Sequence, residues 1–333
     1  MKQISKYITE KLKLNRDSGR NHYFPKTKKE LQDLIKELLE RHGPDADLND
    51  IDVSDITDME ELFKGLAPGN IDISEWDVSN VKNMSSMFWE CVKFSSDLSD
   101  WDVSNVTDMS NMFFHCKNFN SDLSKWDVSN VEDIHGLFYN CKKFKSDLSK
   151  WNVSKVENFG NMFSNCEKFN SDLSKWNVSN AENIDNMFNG CKQFNSDLSK
   201  WDVSNVENMN SAFSDCKKFN CDLSKWDVSK VEDMDGMFAG CKQFNSDLSE
   251  WDVSNVAYMI SMFSGCINFN SDLSNWNVQY VLCMRNMFYD CKKFDADLSK
   301  WDICEIDKDV IGDMFVGCDS LKNTPDWYKQ ITE

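Results

Sequence analysis

Apolar residues recur along this chain with a strict period of 25 residues. Tryptophan holds one place in each unit, at positions 76, 101, 126, 151, 176, 201, 226, 251, 276 and 301. Three more rows keep this spacing: Phe88 to Phe288, Cys91 to Cys291 and Phe94 to Phe294. Self-similarity at a period of about 20–50 residues is typical of solenoids and other repeat folds. The pattern therefore predicts one stacked array rather than two ordinary domains.

Within a unit, the spacing of apolar residues changes from that of a strand to that of a helix. Trp101 and Val103 lie on one side of an extended segment, and Leu98 is out of phase with them, which predicts a bend between Leu98 and Trp101. From Val106 the apolar residues have the spacing of one helical face, with Ser104 and Asn105 as candidate N-cap residues. These residues are Met109, Met112, Phe113 and Cys116. Each unit is therefore predicted to be a short strand followed by a short helix.

Such units cannot bury their apolar faces alone, so they must stack. The predicted fold is α/β: a right-handed, leucine-rich-repeat-like solenoid of about 11 coils of 25 residues over residues 47–327. Residues 1–46 are predicted to form a basic N-terminal helical cap, and residues 328–333 a C-terminal tail. Thr27 and Glu30 form a capping box, and Gly43 followed by Pro44 ends the helix. A separate docking helix for a partner is the alternative to a cap. Leu321, Pro325, Trp327 and Tyr328 are expected to close the far end.

Composition and charge exclude several classes of function. Apolar residues make up 41% of the 333 residues, so the chain can form a core despite its net charge of −19. Residues 1–45 carry 11 basic and 7 acidic residues, a net of +4, which leaves −23 for the remainder. This acidity disfavours nucleic acid. We expect no membrane insertion, because no apolar run approaches about 20 residues. Without an apolar signal segment or an anchor, the sequence is expected to be cytoplasmic by default.

The repeat resembles that of the BspA-type leucine-rich-repeat surface proteins of bacteria, in the branch also found in mycoplasma lipoproteins. Residues 97–123 carry the resemblance most clearly, as DLSDWDVSNVTDMSNMFFHCKNFNSDL, and the similarity covers roughly residues 47–327. The resemblance implies a repeat fold and a binding or adhesion role at a cell surface, with a protein partner of unknown identity.

Two repeated rows, one of aspartates and one of cysteines, carry side chains that could bind metals or react. An aspartate row includes Asp97, Asp122, Asp147 and Asp172, each followed two residues later by serine. Each carboxylate is expected to accept backbone N–H groups in its own turn; a stack of Ca²⁺ sites is the alternative. The cysteine row is expected to be reduced and buried. Cys221, Cys283 and Cys304 lie off that row, and Cys283 is expected to be partly accessible. The sequence contains no C-x-x-C pair, so no zinc site is predicted.

No catalytic motif stands outside the repeat, so neither an enzyme nor a cofactor is predicted. A shared metal or a catalytic pair at His115 and His135 is disfavoured, because the two residues occupy different places in adjacent units. The informative positions are those where the repeat changes. The residue after the repeated Phe points outward and is Trp89, Phe114 and Tyr139 in three successive units, with His115 beside them. These aromatics predict either a binding stripe or packing between coils and against the N-terminal helix.

A second departure from the repeat lies near the C-terminal end. The outward residue after the unit's Val is glutamate in the middle units, expected there to favour a helix N-terminus. It becomes Ala257 and Leu282, and further replacements of polar residues surround them. These are Tyr258, Ile260, Tyr280, Arg285 and Tyr289. A second partner-binding surface and packing of the C-terminal cap are the two interpretations.

The sequence thus predicts a non-catalytic protein-binding or adhesion scaffold. Two alternatives remain open: a structural or assembly component of a larger particle, and a calcium-stabilised surface adhesin. The sequence leaves the oligomeric state open.

Overall fold

The computed structural model describes residues 23–303 and 307–332. The chain divides into two compact units, Met1–Lys155 and Val156–Glu333, and each is described by itself. Residues 1–22 of the predicted cap, and Cys304, lie outside the described residues. The division predicted from the sequence, at residues 46 and 327, stays a prediction.

Three α-helices occur among the described residues: α1 (Lys28–His42), α2 (Lys308–Ile311) and α3 (Asp326–Thr332). The sequence prediction for α1 is confirmed. Thr27 accepts a hydrogen bond from the backbone N–H of Glu30, and the N–H of Gly43 donates to the carbonyl of Leu39. Four leucine or isoleucine side chains of α1 are buried: Leu31, Leu34, Ile35 and Leu38. Lys28 on the polar side pairs with Asp58 and Glu60.

Both units are built from stacked 25-residue coils. In the first unit, parallel bridges join Asp58 to Asn83, Asn83 to Asp108 and Asp108 to Asp133. In the second unit, such bridges run from Asn158 to Cys283 at the same interval. The described residues contain these isolated bridges but no continuous strand. The fold is a repeat solenoid, as predicted; its hand and the number of its coils stay predictions.

The prediction of a short helix after Val106 is wrong, and so is the prediction of a strand around Trp101. The segment from Met109 to His115 is a run of turns in which every second N–H group forms a hydrogen bond to the next coil. The N–H groups of Met109, Asn111, Phe113 and His115 donate to carbonyls of the next coil at 2.8–3.0 Å. Asn111 and His115 have φ of 54° and 61°, in the left-handed region that interrupts an α-helix. The same two positions are left-handed in the neighbouring coils, at Ser86, Glu90, Gly136 and Asn140.

The bend predicted between Leu98 and Trp101 is confirmed, because the N–H of Trp101 donates to the carbonyl of Leu98 at 3.2 Å. The tryptophans form a buried row. Trp76 and Trp101 stack at 6.5 Å in the first unit, and Trp251 and Trp276 stack at 6.4 Å in the second. Indole N–H groups bond the carbonyl of a leucine or isoleucine 28 residues earlier, as Trp101 does with Ile73 at 3.1 Å. The core thus satisfies the polar atom of each large side chain that it buries.

The C-terminal residues continue this row beyond the last regular coil. Trp327 of α3 stacks on Trp301 at 6.2 Å and donates its indole N–H to the carbonyl of Leu298 at 2.9 Å. The Tyr328 ring meets Phe315 edge to face at 4.9 Å. These contacts are those expected of residues that close the array.

Candidate interaction surfaces

The outward aromatics of the first unit form a continuous stack. Ring centroids lie 3.9 Å apart between Trp89 and Phe114 and 4.5 Å apart between Phe114 and Tyr139, with nearly parallel planes. The Lys64 ammonium lies 5.2 Å from the Trp89 ring and forms a cation–π contact. All three rings are half-buried. Because the rings cover one another's faces, mainly their edges remain for a partner. This aromatic stack favours the packing interpretation; its role in binding stays a prediction.

His115 belongs to the same region. Its ring meets Phe114 at 4.7 Å and Tyr139 at 5.3 Å, both edge to face. The side-chain amide of Asn140 lies 2.7 Å from Nδ1 of His115, in the next coil. Burial lowers the pKa of His115; Glu90 raises it and Lys117 lowers it. The His115 ring is therefore held by two aromatic rings and a side-chain amide. His135 contacts Asn111 and Asp133 instead, so the structure gives the two histidines different partners.

The second predicted surface is more exposed. Tyr280 is 66% exposed, Leu282 61% and Tyr258 42%. The backbone N–H of Leu282 donates to the carbonyl of Ala257 at 2.7 Å, and Tyr258 forms a parallel bridge with Cys283. The three side chains therefore belong to two adjacent coils. We call Tyr258, Tyr280 and Leu282 the apolar patch.

Three other predicted residues lie near that patch along the chain. Ile260 is half-buried and Arg285 is exposed. Tyr289 is 39% exposed and lies at the place in its coil that Trp89 takes in the first unit. The N–H of Asp290 donates to the carbonyl of Val316, so the equivalent position in the following coil is Val316, which is also exposed. Tyr289 therefore belongs to a different row from the apolar patch.

The apolar patch replaces a hydrogen bond that the other coils make. An Asn or Asp side chain accepts the N–H two residues later in those coils, as Asn208 does from Asn210 and Asp233 from Asp235. Tyr258 and Cys283 stand at this position and have no carboxylate or amide oxygen. Asp235 of the preceding coil instead accepts the N–H of Ile260 at 2.5 Å. Burial raises the pKa of Asp235 to about 6; the Ile260 N–H lowers it and Asp233 raises it.

The aspartate row forms the turns that the sequence predicts. Asp97, Asp122, Asp147 and Asp172 each accept the N–H of the serine two residues later, at 2.9–3.0 Å. The backbone N–H and hydroxyl of Ser99 lower the pKa of Asp97, and those of Ser124 lower the pKa of Asp122. Across residues 23–303 and 307–332, no group of three or more His, Cys, Asp or Glu residues could hold a metal ion. The Ca²⁺ alternative stays a prediction.

The grooves beside the aspartate row are polar. One of about 430 Å³ in the first unit lies between two adjacent turns and is lined by Asn120, Ser121, Asp122, Ser124, Lys145, Ser146, Asp147 and Lys150. Serines 121 and 146 are structural here: their hydroxyls accept the N–H groups of Leu98 and Leu123 at 2.8 Å. The groove thus consists of groups that belong to the repeat scaffold.

The cysteine row is buried and reduced, as predicted. Within the second unit, the thiols of Cys191, Cys216 and Cys241 donate to carbonyls 28 residues earlier at 2.9–3.0 Å. Burial raises the pKa of Cys91 to about 12 and that of Cys221 to about 11. Cys221 takes a serine position and accepts the N–H of Leu198 at 3.1 Å. Cys283 is partly exposed, as expected, and so is Cys318.

The sequence interpretation missed why the polar positions recur. The two left-handed positions per coil carry mainly Asn, Asp, Ser and Gly, the composition that this conformation favours. An Asn row supplies side-chain carbonyls to the next coil: Asn195, Asn220 and Asn245 accept the N–H groups of residues 220, 245 and 270 at 2.7–2.9 Å. These polar positions recur every 25 residues in the sequence, but the apolar spacing of the segment favoured a helix, in which they would have had no such role. The reason given for the glutamates is also wrong, because no helix begins at them.

The fold and these surfaces define a repeat solenoid protein. The chain belongs to the family described as "Mycoplasma protein of unknown function, DUF285", which matches residues 32–138, 114–226 and 207–327. This membership confirms the predicted resemblance in its mycoplasma branch.

Two solved structures are similar to the chain, and no curated protein matches it. A leucine-rich repeat protein from Eubacterium ventriosum is 14% identical; the match covers 82% of this chain and 77% of that one, with a TM-score of 0.38. A leucine rich cell surface protein from Faecalibacterium prausnitzii is 12% identical; the match covers 65% and 82%, with a TM-score of 0.24. None of the helices that the structure describes has the length and apolar character of a membrane span.

Proposed function

We infer that the protein is a non-catalytic scaffold that binds another protein through the apolar patch. The observation that carries this conclusion is the exposure of Tyr280 and Leu282 beside Tyr258. At this place the coil gives up the side-chain hydrogen bond that the repeat makes elsewhere and gains exposed apolar area. Exposed apolar atoms at a place that carries Asn or Asp in the other coils are poorly explained by stability alone.

A pull-down from the native source tests this function. The Tyr280→Ser and Leu282→Ser double variant should lose the bound partner, because exposed aromatic and aliphatic side chains supply much of the energy of an interface. Tyr289→Ser with Val316→Ser is the matched control, since both side chains are exposed but belong to another row. A partner that binds both variants as tightly as the unchanged protein would contradict the apolar patch as the site.

The aromatic stack is the second candidate surface. Alanine at Trp89, Phe114 and Tyr139 should leave partner binding unchanged if the stack serves packing alone. Loss of the partner with retention of the fold would assign the site to the stack instead.

Light scattering at high protein concentration tests the assembly alternative, which requires a stable oligomer. Cell fractionation tests the location, for which the family resemblance implies a cell surface.

Helix α1 is proposed to cap the first coils rather than to dock a partner. Its Leu31, Leu34, Ile35 and Leu38 are buried, and its Lys28 pairs with Asp58 and Glu60. Leu34→Ala should cost roughly 2–5 kcal/mol of unfolding free energy. An unchanged denaturant midpoint would favour a docking helix.

A further inference from the structure

The apolar patch lies at the end of a regular row of acidic side chains. In the second unit, the N–H of Glu182 donates to the carbonyl of Glu157, Glu207 to Glu182 and Glu232 to Glu207, at 2.8–2.9 Å. The row continues through Ala257 to Leu282 by the same bond, at 2.8 and 2.7 Å. We call Glu157, Glu182, Glu207 and Glu232 the glutamate row. The backbone bonds place each residue directly beside its equivalent in the next coil.

The glutamate row has no partner of its own. All four side chains are exposed, and within residues 23–303 and 307–332 none of their carboxylates forms an ion pair or a hydrogen bond. Adjacent parallel segments lie about 4.8 Å apart, and like charges directly opposite one another destabilise a ladder. In contrast, the aspartate row is explained by its turns, because each carboxylate there accepts an N–H group. No helix begins at the glutamates, so their uniform charge has no local structural cause.

We propose that the glutamate row and the apolar patch together bind one partner segment, a basic amphipathic α-helix lying along the row. Lysine or arginine side chains of that helix contact the glutamates, and an apolar residue at its end packs on Tyr280 and Leu282. The proposal rests on the proposed function and specifies the chemistry of its partner. Charge complementarity selects the sign of the partner, and the apolar patch fixes the end at which its apolar residue lies.

The spacing of the row favours a helix over an extended peptide. From Glu157 to Leu282 the row takes five steps between coils, about 24 Å at about 4.8 Å per step. A helix of roughly 16 residues has this length and repeats its face about every 5.4 Å. An extended peptide repeats its face only about every 6.7 Å and loses register within two or three coils.

Other classes of ligand fit less well. Nucleic acids and anionic membranes carry the same sign of charge as the row. A divalent cation needs several oxygen ligands that converge on one point, and the described residues offer no such group. The row instead spreads single carboxylates along a line, which suits a long cationic segment.

Fluorescence anisotropy with a defined peptide tests the proposal. The probe is a labelled 18-residue helical peptide with lysines on one face and two leucines at one end. The full chain should bind it, and Glu182→Gln, Glu207→Gln and Glu232→Gln together should weaken binding by about tenfold, as three partly screened charge pairs would. Glu40→Gln, Glu90→Gln and Glu250→Gln together are the matched control, because these exposed residues lie off the row and remove the same charge.

Each outcome has one meaning. Equal weakening by both triple variants would show a general charge effect and overturn the proposal. So would equal binding of a peptide with glutamates in place of lysines, or of a proline-containing peptide of the same charge that cannot form a helix. If Tyr280→Ser with Leu282→Ser loses the native partner but the glutamine variant of the row retains it, the proposed function stands and the basic helix is wrong. If the double serine variant also retains it, the proposed function fails.

Discussion

The carboxylate of Asp235 accepts the backbone N–H of Ile260, in the next coil, at 2.5 Å. It takes the place of the side-chain oxygen that Tyr258 lacks. The pKa of Asp235 is raised to about 6, mainly by burial. The carboxyl group that replaces the missing Tyr258 acceptor therefore has a raised pKa.

Asp235→Asn should raise stability near neutral pH, because it keeps the oxygen acceptor and removes a charge that burial disfavours. The pKa of Asp235 is higher in the folded chain, about 6 against 3.8, so the folded state holds more protons between these values. The contribution of Asp235 is therefore greatest below pH 4 and is lost as pH rises through about 6. We expect a gain of roughly 1 kcal/mol at pH 7, after allowance for solvent screening.

Urea unfolding of both proteins from pH 4 to pH 8 checks this expectation. The difference between them should grow with pH up to about 6 and then remain constant. Asp185→Asn is the matched control, because Asp185 holds the same place in another coil and accepts amide groups of Asn161 and Asn186 instead of the Ile260 N–H. Parallel pH profiles for Asp235→Asn and the unchanged protein would refute the assignment.

Phe114→Ala should destabilise the first unit by about 2–4 kcal/mol. Phe114 stacks on Trp89 on one face and on Tyr139 on the other, so its removal breaks both ring contacts. Tyr289→Ala is the control at the same place in a coil, with an exposed ring that stacks on no other ring among the described residues. It should change the unfolding free energy by less than about 1 kcal/mol. Equal effects of the two changes in chemical denaturation would contradict the role of stacking.

Native-state labelling with a thiol reagent should separate the cysteines by burial. Cys283 and Cys318 are partly exposed, and Cys283 should react first because burial raises the pKa of Cys318 to about 11. The cysteine row should stay protected until unfolding, because its thiols are buried and their pKa values are raised by that burial. Mass spectrometry of peptides identifies the labelled positions. Rapid labelling of Cys216 in the folded protein would show that the cysteine row is open to solvent.

Asp122→Ala should cost roughly 0.5–2 kcal/mol, whereas Asp122→Asn should retain most of the stability, because an amide oxygen can still accept the N–H of Ser124. The turn interpretation also predicts the same thermal midpoint in Ca²⁺ and in EDTA. A clear rise in the midpoint with Ca²⁺, abolished by Asp122→Asn, would instead support the calcium-stabilised adhesin.

The period, the buried rows and the two places where the repeat changes could all be recognised in the sequence. Trp, Phe, Met and Cys at fixed intervals form the buried rows of each unit whatever the local conformation of the coil. The aspartate turns were equally accessible, because Asp followed by Ser two residues later is a local signal. Local patterns of this kind depend on few distant contacts.

The conformation of each coil could not be obtained in that way. The residues Val106, Met109, Met112, Phe113 and Cys116 have the spacing of a helical face, yet Asn111 and His115 adopt left-handed backbone. The neighbouring coils decide between a helix and a run of turns, because their carbonyls accept the N–H groups that a helix would have used internally. Apolar spacing alone does not record these bonds between coils.

The amino-acid sequence is sufficient to predict a 25-residue stacked array, its buried rows and the positions where aromatic residues replace polar ones. Which of those positions are covered and which are exposed became clear from the contacts between coils. Trp89, Phe114 and Tyr139 cover one another, whereas Tyr258, Tyr280 and Leu282 remain open to solvent. The physical reason is that exposure depends on what stands at the same place in adjacent coils, 25 residues away, and on the backbone bonds that bring those coils together.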